Sequence, residues 1–381
     1  MLCSVDPAPW VELEADGRRA DCESKAEHGM AGIWRGLIQT VALLYVASSL
    51  IPLLKSDAWW IRGWDFPRLQ FAVVGLAAML LLALAIPGWP LHKIALLLIL
   101  AGSLAVDAYR IAPYTRLARV ESLPAGRADS GQRLSIVVSN VLQDNKDPEP
   151  LRRVLADLSP DLVLLLEVDR RWMDDLAGLK SSHPFRVAQP LDNAYGIALF
   201  SRLGLAQARL GYLLEADIPS IRAQVVLGSG ERVEVFGIHP RPPEPRSGDS
   251  TERDAELILV ARKARESKLP VIVMGDLNDV AWSHTTRLFR RISGLLDPRI
   301  GRGHFPTFPV ALPFLRYPLD HVFHSKSLRL ADFRVLPDIG SDHFPVYAEF
   351  SLEPQGSAEQ KSPQADSEDL REARETVGRA K

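Results

Sequence analysis

Hydrophobic positions follow two regimes along this chain. Up to about residue 112 they form long runs without charge; from residue 134 they form short runs separated by amphipathic or turn-rich stretches. Gly36 to Leu54 and Leu69 to Ile86 are free of charge and long enough to cross a bilayer. A third run begins at Leu91 and is clean from Ile94 to Val106, before Asp107 and Arg110, whose side chains can snorkel. Between the first two runs lies AWWIRGWDFPR, where Trp59, Trp60 and Trp64 sit beside Arg62 and Arg68 in the manner of an interfacial belt. Pro87-Gly88-Trp89-Pro90 makes a tight turn. The pattern predicts three transmembrane helices over residues 33–112; the competing reading is a buried helical hairpin of a soluble domain.

Beyond a polar Pro/Gly/Ser-containing linker at 113–133, residues 134–353 read as one α/β domain. Strands are predicted at Leu134–Val138, Leu162–Leu166, Gly196–Phe200, Val233–Ile238, Val271–Met274 and Val346–Phe350. Helices are predicted at Glu149–Leu158 and Thr251–Ser267. Residues 1–32 are polar and aperiodic and are expected to be disordered, with Met30 as an alternative start. Residues 354–381 are charged, lack aromatics and are expected to form a disordered tail.

Charge and cysteine content remove some function classes. A formal net charge of −2 argues against a protein that binds nucleic acid by bulk electrostatics. Both cysteines, Cys3 and Cys22, lie near the amino terminus, so the main body holds neither a disulfide framework nor a cysteine metal site. The apolar runs carry no central charge of the kind that marks a conduction path, which disfavours a transporter.

The strongest chemical signal is Leu269 to Asp279, LPVIVMGDLND. A β-branched run ends at Gly275 and delivers Asp276 and Asn278 at once, a carboxylate and an amide suited to a water or a phosphate oxygen near a hard cation. The alternative for this stretch is an Asx-rich turn capping the next helix. Other presumed strands end in the same manner: LSIVVSN at Asn140, LVLLLEVD at Glu167, VEVFGIHP at His239, YPLDHVF at Asp320 and His321, IGSDHFPV at Asp342 and His343. Each alone has a plain explanation as a turn or surface residue. Carboxylates in apolar contexts are costly unless paired or metal-bound, so their recurrence in one domain points to a shared site.

The set SN, LLEVD, YGIALFSR, GIHP, GDLND, LDHVF and GSDHFPV resembles the endonuclease/exonuclease/phosphatase superfamily over Leu134 to Leu352. The arrangement of spans leading into this domain is similar to bacterial membrane-tethered members. The resemblance implies a deoxyribonuclease-I-like two-sheet β-sandwich flanked by helices, a divalent cation (Mg²⁺ or Mn²⁺) and hydrolysis of a phosphoester. It implies Glu167 and Asn140 as metal ligands with Asp342 completing the acidic cluster. It further implies Asp276 and Asn278 orienting water and phosphate, His343 held by Asp320, and His239 stabilising developing charge. His321 is expected to face away from the site. Tyr195, Arg241 and Trp282 are candidates for substrate contact, and Arg290 and Arg291 for a solvated helix face. The substrate is expected to be a lipid head group, an inositol phosphate or a nucleic acid. A tethered nuclease and a catalytically inactive binding module are the alternatives. Counting Lys and Arg at the span ends slightly favours a cytoplasmic catalytic domain. The Trp-rich loop and the tethered relatives favour a bacterial inner-membrane protein with that domain on the periplasmic or external face, which is the expected orientation.

Overall fold

The computed structural model describes residues 9–54, 56–85, 87–126, 130–243 and 249–380, with side chains from residue 29 onward. These fall into two compact units, Met1–Ile51 with Leu69–Ala108, and Pro52–Arg68 with Tyr109–Lys381.

The first four helices are α1 (Pro9–Leu50), α2 (Trp59–Arg62), α3 (Arg68–Ala85) and α4 (Leu91–Ile111). The first unit is built from α1, α3 and α4. Ala42, Tyr45, Ala78, Leu82 and Leu100 form its small core. The Tyr45 ring lies against Gly75, where an added Cβ would meet it at 2.4 Å, and its hydroxyl donates to Asp107 Oδ2 at 2.9 Å. Gly29–Leu53, Arg68–Ala85 and Leu91–Tyr114 are each long and apolar enough to cross a membrane. In the most apolar 18-residue window of each, only 28%, 22% and 28% is buried. The expectation of disorder is corrected over residues 9–32, where α1 begins at Pro9, and residues 1–8 lie outside the described residues. Glu12, Leu13, Glu14, Ala15, Arg18 and Arg19 are good helix formers, and the helix continues from them into the apolar stretch.

The second unit is a sandwich of two sheets. Its strands are β1 (Arg133–Asn140), β2 (Leu162–Leu166), β3 (Phe185–Gln189), β4 (Ile197–Ser201), β5 (Leu205–Tyr212) and β6 (Pro219–Val226), followed by β7 (Arg232–Ile238), β8 (Val271–Asp276), β9 (Asp320–His324), β10 (Leu328–Val335) and β11 (Val346–Leu352). One sheet has the order β10-β11-β1-β2-β4-β3 and the other β5-β6-β7-β8-β9. Along β1, Leu134, Ile136 and Val138 join the core between the sheets, while Val137 joins the core on the outer face. Burial on both faces explains why these strands read as continuous apolar runs. The helices α5 (Glu149–Leu158), α6 (Arg170–Asp175) and α7 (Leu179–Ser182) follow β1 and β2, and Leu151, Leu155 and Trp172 cover the outer face of the first sheet. The outer face of the second is covered from α8 (Thr251–Glu266), α9 (His284–Ser293) and α10 (Ser367–Arg379), through Ile258, Phe289 and Val377.

Two expected boundaries are corrected here. The linker 113–133 is integral to the sandwich over its described residues: Tyr114 is buried with its hydroxyl on Ala281 O at 2.7 Å, and Ser122 Oγ lies 2.6 Å from His324 Nε2. The tail 354–381 is ordered through residue 380. Asp366 and Asp369 form a reciprocal capping box at the start of α10, Ala373 and Val377 are buried, and Asp369 takes Arg291 at 2.8 Å. The D-x-x-D cap followed by Leu370, Ala373 and Val377 at helical spacing was the signal beneath the charged composition. Arg290 and Arg291 are accordingly ion-paired, with Glu121 and Asp369, and do not form a solvated face.

Candidate active site

Strand direction assembles the polar residues. β1 and β2 run parallel, pairing Asn140 with Leu166, so Asn140 and the following Glu167 emerge side by side. β7 and β8 are also parallel, pairing Ile238 with Gly275, which brings His239 beside Asp276. β9 runs antiparallel to β8 and begins where β8 ends, with Asp276 opposite Asp320. Gly275 is required at this junction, since at φ +147° a Cβ would stand 1.9 Å from Ile238 O.

Asp276 is the centre. Its Oδ2 lies 3.3 Å from Asn140 Nδ2, 3.5 Å from His343 Nε2 and 3.7 Å from His239 Nε2. Its Oδ1 accepts the Asn278 backbone N–H at 2.9 Å, and the Asn278 amide donates to Pro240 O at 3.0 Å. The turn and the functional readings of GDLND are therefore both present: the Asx turn is what aims Asp276. His343 Nδ1 is 2.8 Å from Asp320 Oδ2. Asn140 Nδ2 also donates to Glu167 Oε1 at 2.8 Å, and the Gln143 N–H points to Glu167 Oε2 at 3.3 Å.

Burial governs the electrostatics. It raises Glu167 above the ordinary carboxylate range, against the opposing hydrogen bonds from Asn140 and Gln143. It also raises Asp276, against His343, with Asp320 adding to the rise. Burial holds His239 below its usual value in spite of Asp276. At His343 burial pulls down but is outweighed by Asp320 and Asp276, which push it up to about 10. Among the described residues, Glu167, Asp276, Asp320 and Asp342 form no ion pair with Lys or Arg. Ligand atoms of Asp276, Asp320 and His343 all lie within 4.8 Å of one another, and Asp320 Oδ1 is buried without a hydrogen-bond partner. An oxygen-rich, carboxylate-heavy set of this kind fits a hard divalent cation. Within it, Asp320 Oδ2 is already bonded to His343 Nδ1.

The residues front a cleft of about 680 Å³, whose lining includes Glu167, Tyr195, His239, Asp276, Asn278, Asp342 and His343. Tyr195 lies with its ring 5.6 Å from that of His239. Arg241 does not line the cleft; it stands over Tyr195 at 5.5 Å and is bound to Glu215 at 2.7 Å, so it positions the tyrosine. Trp282 is a correction: it is fully buried, stacks on His304 and donates from Nε1 to Asp65 O at 2.7 Å, so it cannot contact substrate. His321 faces away as expected, bonded to Arg299 and Asp279 O. Several contributors carried no signal in sequence. Ser341 Oγ donates to Asn140 O at 2.8 Å and accepts from His343 N, tying the GSDH turn to β1. Thr307 Oγ accepts the N–H groups of Leu319 and Asp320, both at 3.2 Å. Phe308 packs on His343, with ring centroids 4.7 Å apart.

Known structures share this architecture. D. rerio TDP2, in complex with a single-strand DNA product, is 19% identical with a TM-score of 0.50, covering 57% of this chain and 99% of that chain. An endonuclease/exonuclease/phosphatase family protein from Bacteroides thetaiotaomicron is 17% identical with a TM-score of 0.48, covering 58% and 96%. The mannosyl-6-phosphatase Bt3783 of B. thetaiotaomicron is 18% identical with a TM-score of 0.45, covering 57% and 99%. At these identities the likeness concerns the fold alone, and a search of curated protein sequences returns no match. A profile of the Endonuclease/Exonuclease/phosphatase family matches residues 137–343, which is more than half of the chain and spans every strand-end residue from Asn140 to His343. With its fold and its polar strand ends in that order, the chain belongs to the endonuclease/exonuclease/phosphatase family, whose enzymes depend on divalent metal and hydrolyse phosphoester bonds.

Proposed function

We propose that this chain is a membrane-anchored hydrolase that uses Mg²⁺ (or Mn²⁺) to cleave a phosphodiester or phosphomonoester by in-line attack of water. The observation that carries the reading is the convergence of Asn140, His239 and His343 on Asp276 Oδ2, beside Glu167. Glu167, Asn140 and Asp342 are the residues that would hold the cation. When bound, it neutralises phosphate charge and makes water a better nucleophile. Asp276, aimed by the Asn278 turn, orients the attacking water and accepts its proton at Oδ2. His343, fixed by Asp320, and His239 direct their Nε2 atoms to the place where charge builds on the phosphate. Tyr195 backs His239. One water is consumed, one P–O bond breaks, and an alcohol and a phosphate or phosphate monoester leave.

The completeness of this polar set favours an enzyme over an inactive binding module. The test uses the full chain in detergent, with bis-p-nitrophenyl phosphate, plasmid DNA, RNA, phospholipids and inositol phosphates as substrates. Hydrolysis of the nitrophenyl ester that stops with EDTA and returns with Mg²⁺ or Mn²⁺ is the expected result. Metal-independent turnover, or none at all with a folded protein, overturns the reading. The three apolar helices support membrane anchoring; the Trp-rich loop and the resemblance to tethered bacterial members are what favour a bacterial inner membrane with the amino terminus inside and the catalytic domain periplasmic or external. A carboxyl-terminal alkaline phosphatase fusion should be active in cells and a green fluorescent protein fusion dark; the reverse pattern places the domain in the cytoplasm.

A further inference from the structure

The strand-end residues make only part of the cleft lining. The rest includes Trp59, Gly63, Phe66 and Pro67, from the short segment between the first two apolar helices, together with Phe308, Tyr317 and Leu319. This segment is built into the sandwich. Asp57 O accepts the Ser250 N–H at 2.8 Å, the Asp57 carboxylate takes Arg379 at 2.9 Å, and Ala58 bridges Asp249. Asp65 O takes the indole N–H of Trp282, and the Asp65 carboxylate is buried against Arg68 at 2.8 Å and Arg110 at 3.5 Å. Phe66 stands edge-on to Tyr317 at 5.7 Å, which joins this wall to the 308–319 loop.

Chain connectivity then locates the wall. Pro67 lines the cleft, and the next residue, Arg68, opens a helix long and apolar enough to cross a membrane. One residue spans at most about 4 Å. On the other side, Trp59 is six residues past Leu53, where the preceding candidate span ends, a reach of at most about 20 Å. The same two loops expose large apolar side chains. Trp59, Trp60 and Trp64 are 37%, 53% and 36% exposed, and Leu312, Phe314 and Leu315 are 52%, 88% and 42% exposed. Tryptophans flanking an apolar run suit a bilayer interface. Polyanionic nucleic acid needs a basic groove, yet among the described residues lining the cleft there is no Lys or Arg.

Resting on the hydrolase reading above, we infer that the substrate is a membrane lipid phosphoester taken from the leaflet on the catalytic side, with Trp59, Phe66 and Tyr317 seating its apolar part while its phosphate meets Asp276 and His343. The loop between the first two apolar helices is thus a specificity element of the catalytic site. The reaction is the same hydrolysis, in which water replaces an alcohol at phosphorus.

Two readouts test this on the full chain in nanodiscs. The first is photo-crosslinking with a dodecyl phosphate bearing a diazirine next to its phosphate, which needs no turnover and is also run on Asp276→Asn. Labelling within 57–67 and 308–319 that is competed by dodecyl phosphate but not by dodecyl maltoside is expected. Labelling confined to the apolar helices, or unaffected by the phosphate competitor, overturns the inference. The second is the ratio of kcat/KM for dioctanoyl over dibutyryl phospholipid, expected to exceed roughly tenfold and to fall to within about twofold of unity in Trp59→Ala/Phe66→Ala. A ratio near one in the unaltered protein, or one that the double variant leaves in place, rejects it, as does preferential cleavage of DNA or RNA. Hydrolysis of bis-p-nitrophenyl phosphate without chain preference or labelling sinks the lipid inference alone. Labelling without hydrolysis of any ester sinks the hydrolase reading alone.

Discussion

Two clusters of buried charge lie within a few residues of each other in GDLND, and they are built on opposite principles. Asp276 enters a cluster with Asp320, His239 and His343 in which, among the described residues, no Lys or Arg balances the carboxylates. Asp279, three residues on, enters a cluster organised by a buried arginine. Arg253 bonds Asp254 Oδ1 at 2.7 Å, lies 3.6 Å from Asp279 Oδ1 and donates to Asn278 O at 2.7 Å, while Ser283 and Thr286 donate to Asp279 Oδ2. At Asp254, burial is outweighed by Arg253 and Arg62, which hold it below the usual carboxylate range. At Asp276 burial wins and the carboxyl is raised. Asp279 is raised as well, by burial and with Asp254 adding to the rise against Arg253, but its hydrogen bonds leave neither oxygen idle. Compensated charge props the structure. Carboxylates answered only by histidine, here a His343 raised to about 10, are where chemistry needing a cation and a phosphate belongs.

The sharpest way to break this contrast is to substitute one member of each cluster. Asp276→Asn should lower kcat on bis-p-nitrophenyl phosphate by roughly 10³-fold. Its melting temperature should stay level or rise, because the change removes a carboxylate charge with no Lys or Arg partner. A folded variant with near-normal kcat removes Asp276 from the mechanism. Arg253→Met should do the reverse in stability, leaving Asp254 and Asp279 buried without their cation. The expected loss is about 3–5 kcal/mol, seen as a drop on the order of 10 °C in melting of the full chain. An unchanged melting temperature would show that the second cluster is not structural.

A smaller effect separates metal holding from substrate holding inside the first cluster. Glu167→Gln keeps the side-chain shape but removes the charge and one of the two acceptor oxygens that Asn140 and Gln143 meet. Mg²⁺ affinity by calorimetry should fall roughly 10–100-fold, with a lesser change in KM for the nitrophenyl ester. Equal Mg²⁺ binding in both proteins means that Glu167 is not a ligand.

The same contrast explains what the sequence disclosed. Strand ends were legible because a polar residue after an apolar run is visible without knowing its partners, and Glu149–Leu158 and Leu162–Leu166 match the observed elements. Compensated charge was not legible, because its meaning lies in a partner far along the chain. Arg290 reads as a solvated face until Glu121 is placed beside it. Trp282 was taken for a substrate contact for the same reason, since its neighbour Asp65 is 217 residues away. The edge strands β3, β5 and β10 also went unread, being only partly buried and therefore weakly patterned.

Glu256 gives the comparison its third case, a buried carboxylate with neither an arginine nor a place in the site. It lies on α8 two residues after Asp254, is 3% exposed, and its Oε1 has no hydrogen-bond partner among the described residues. Burial, with a further push from Glu215, raises it to about 8 from the ordinary 4.5. The folded protein therefore keeps a proton that the unfolded chain releases above about pH 4.5. Stability falls as pH climbs from there, and the penalty is complete above the folded value of about 8. Glu256→Gln cannot ionise and should escape it. We expect the variant to match the parent at pH 5 and to be more stable at pH 8 by on the order of 1–2 kcal/mol. Melting curves of both proteins at the two pH values decide the matter. If the variant loses stability at pH 8, Glu256 is charged and has found compensation, and it belongs with Asp254.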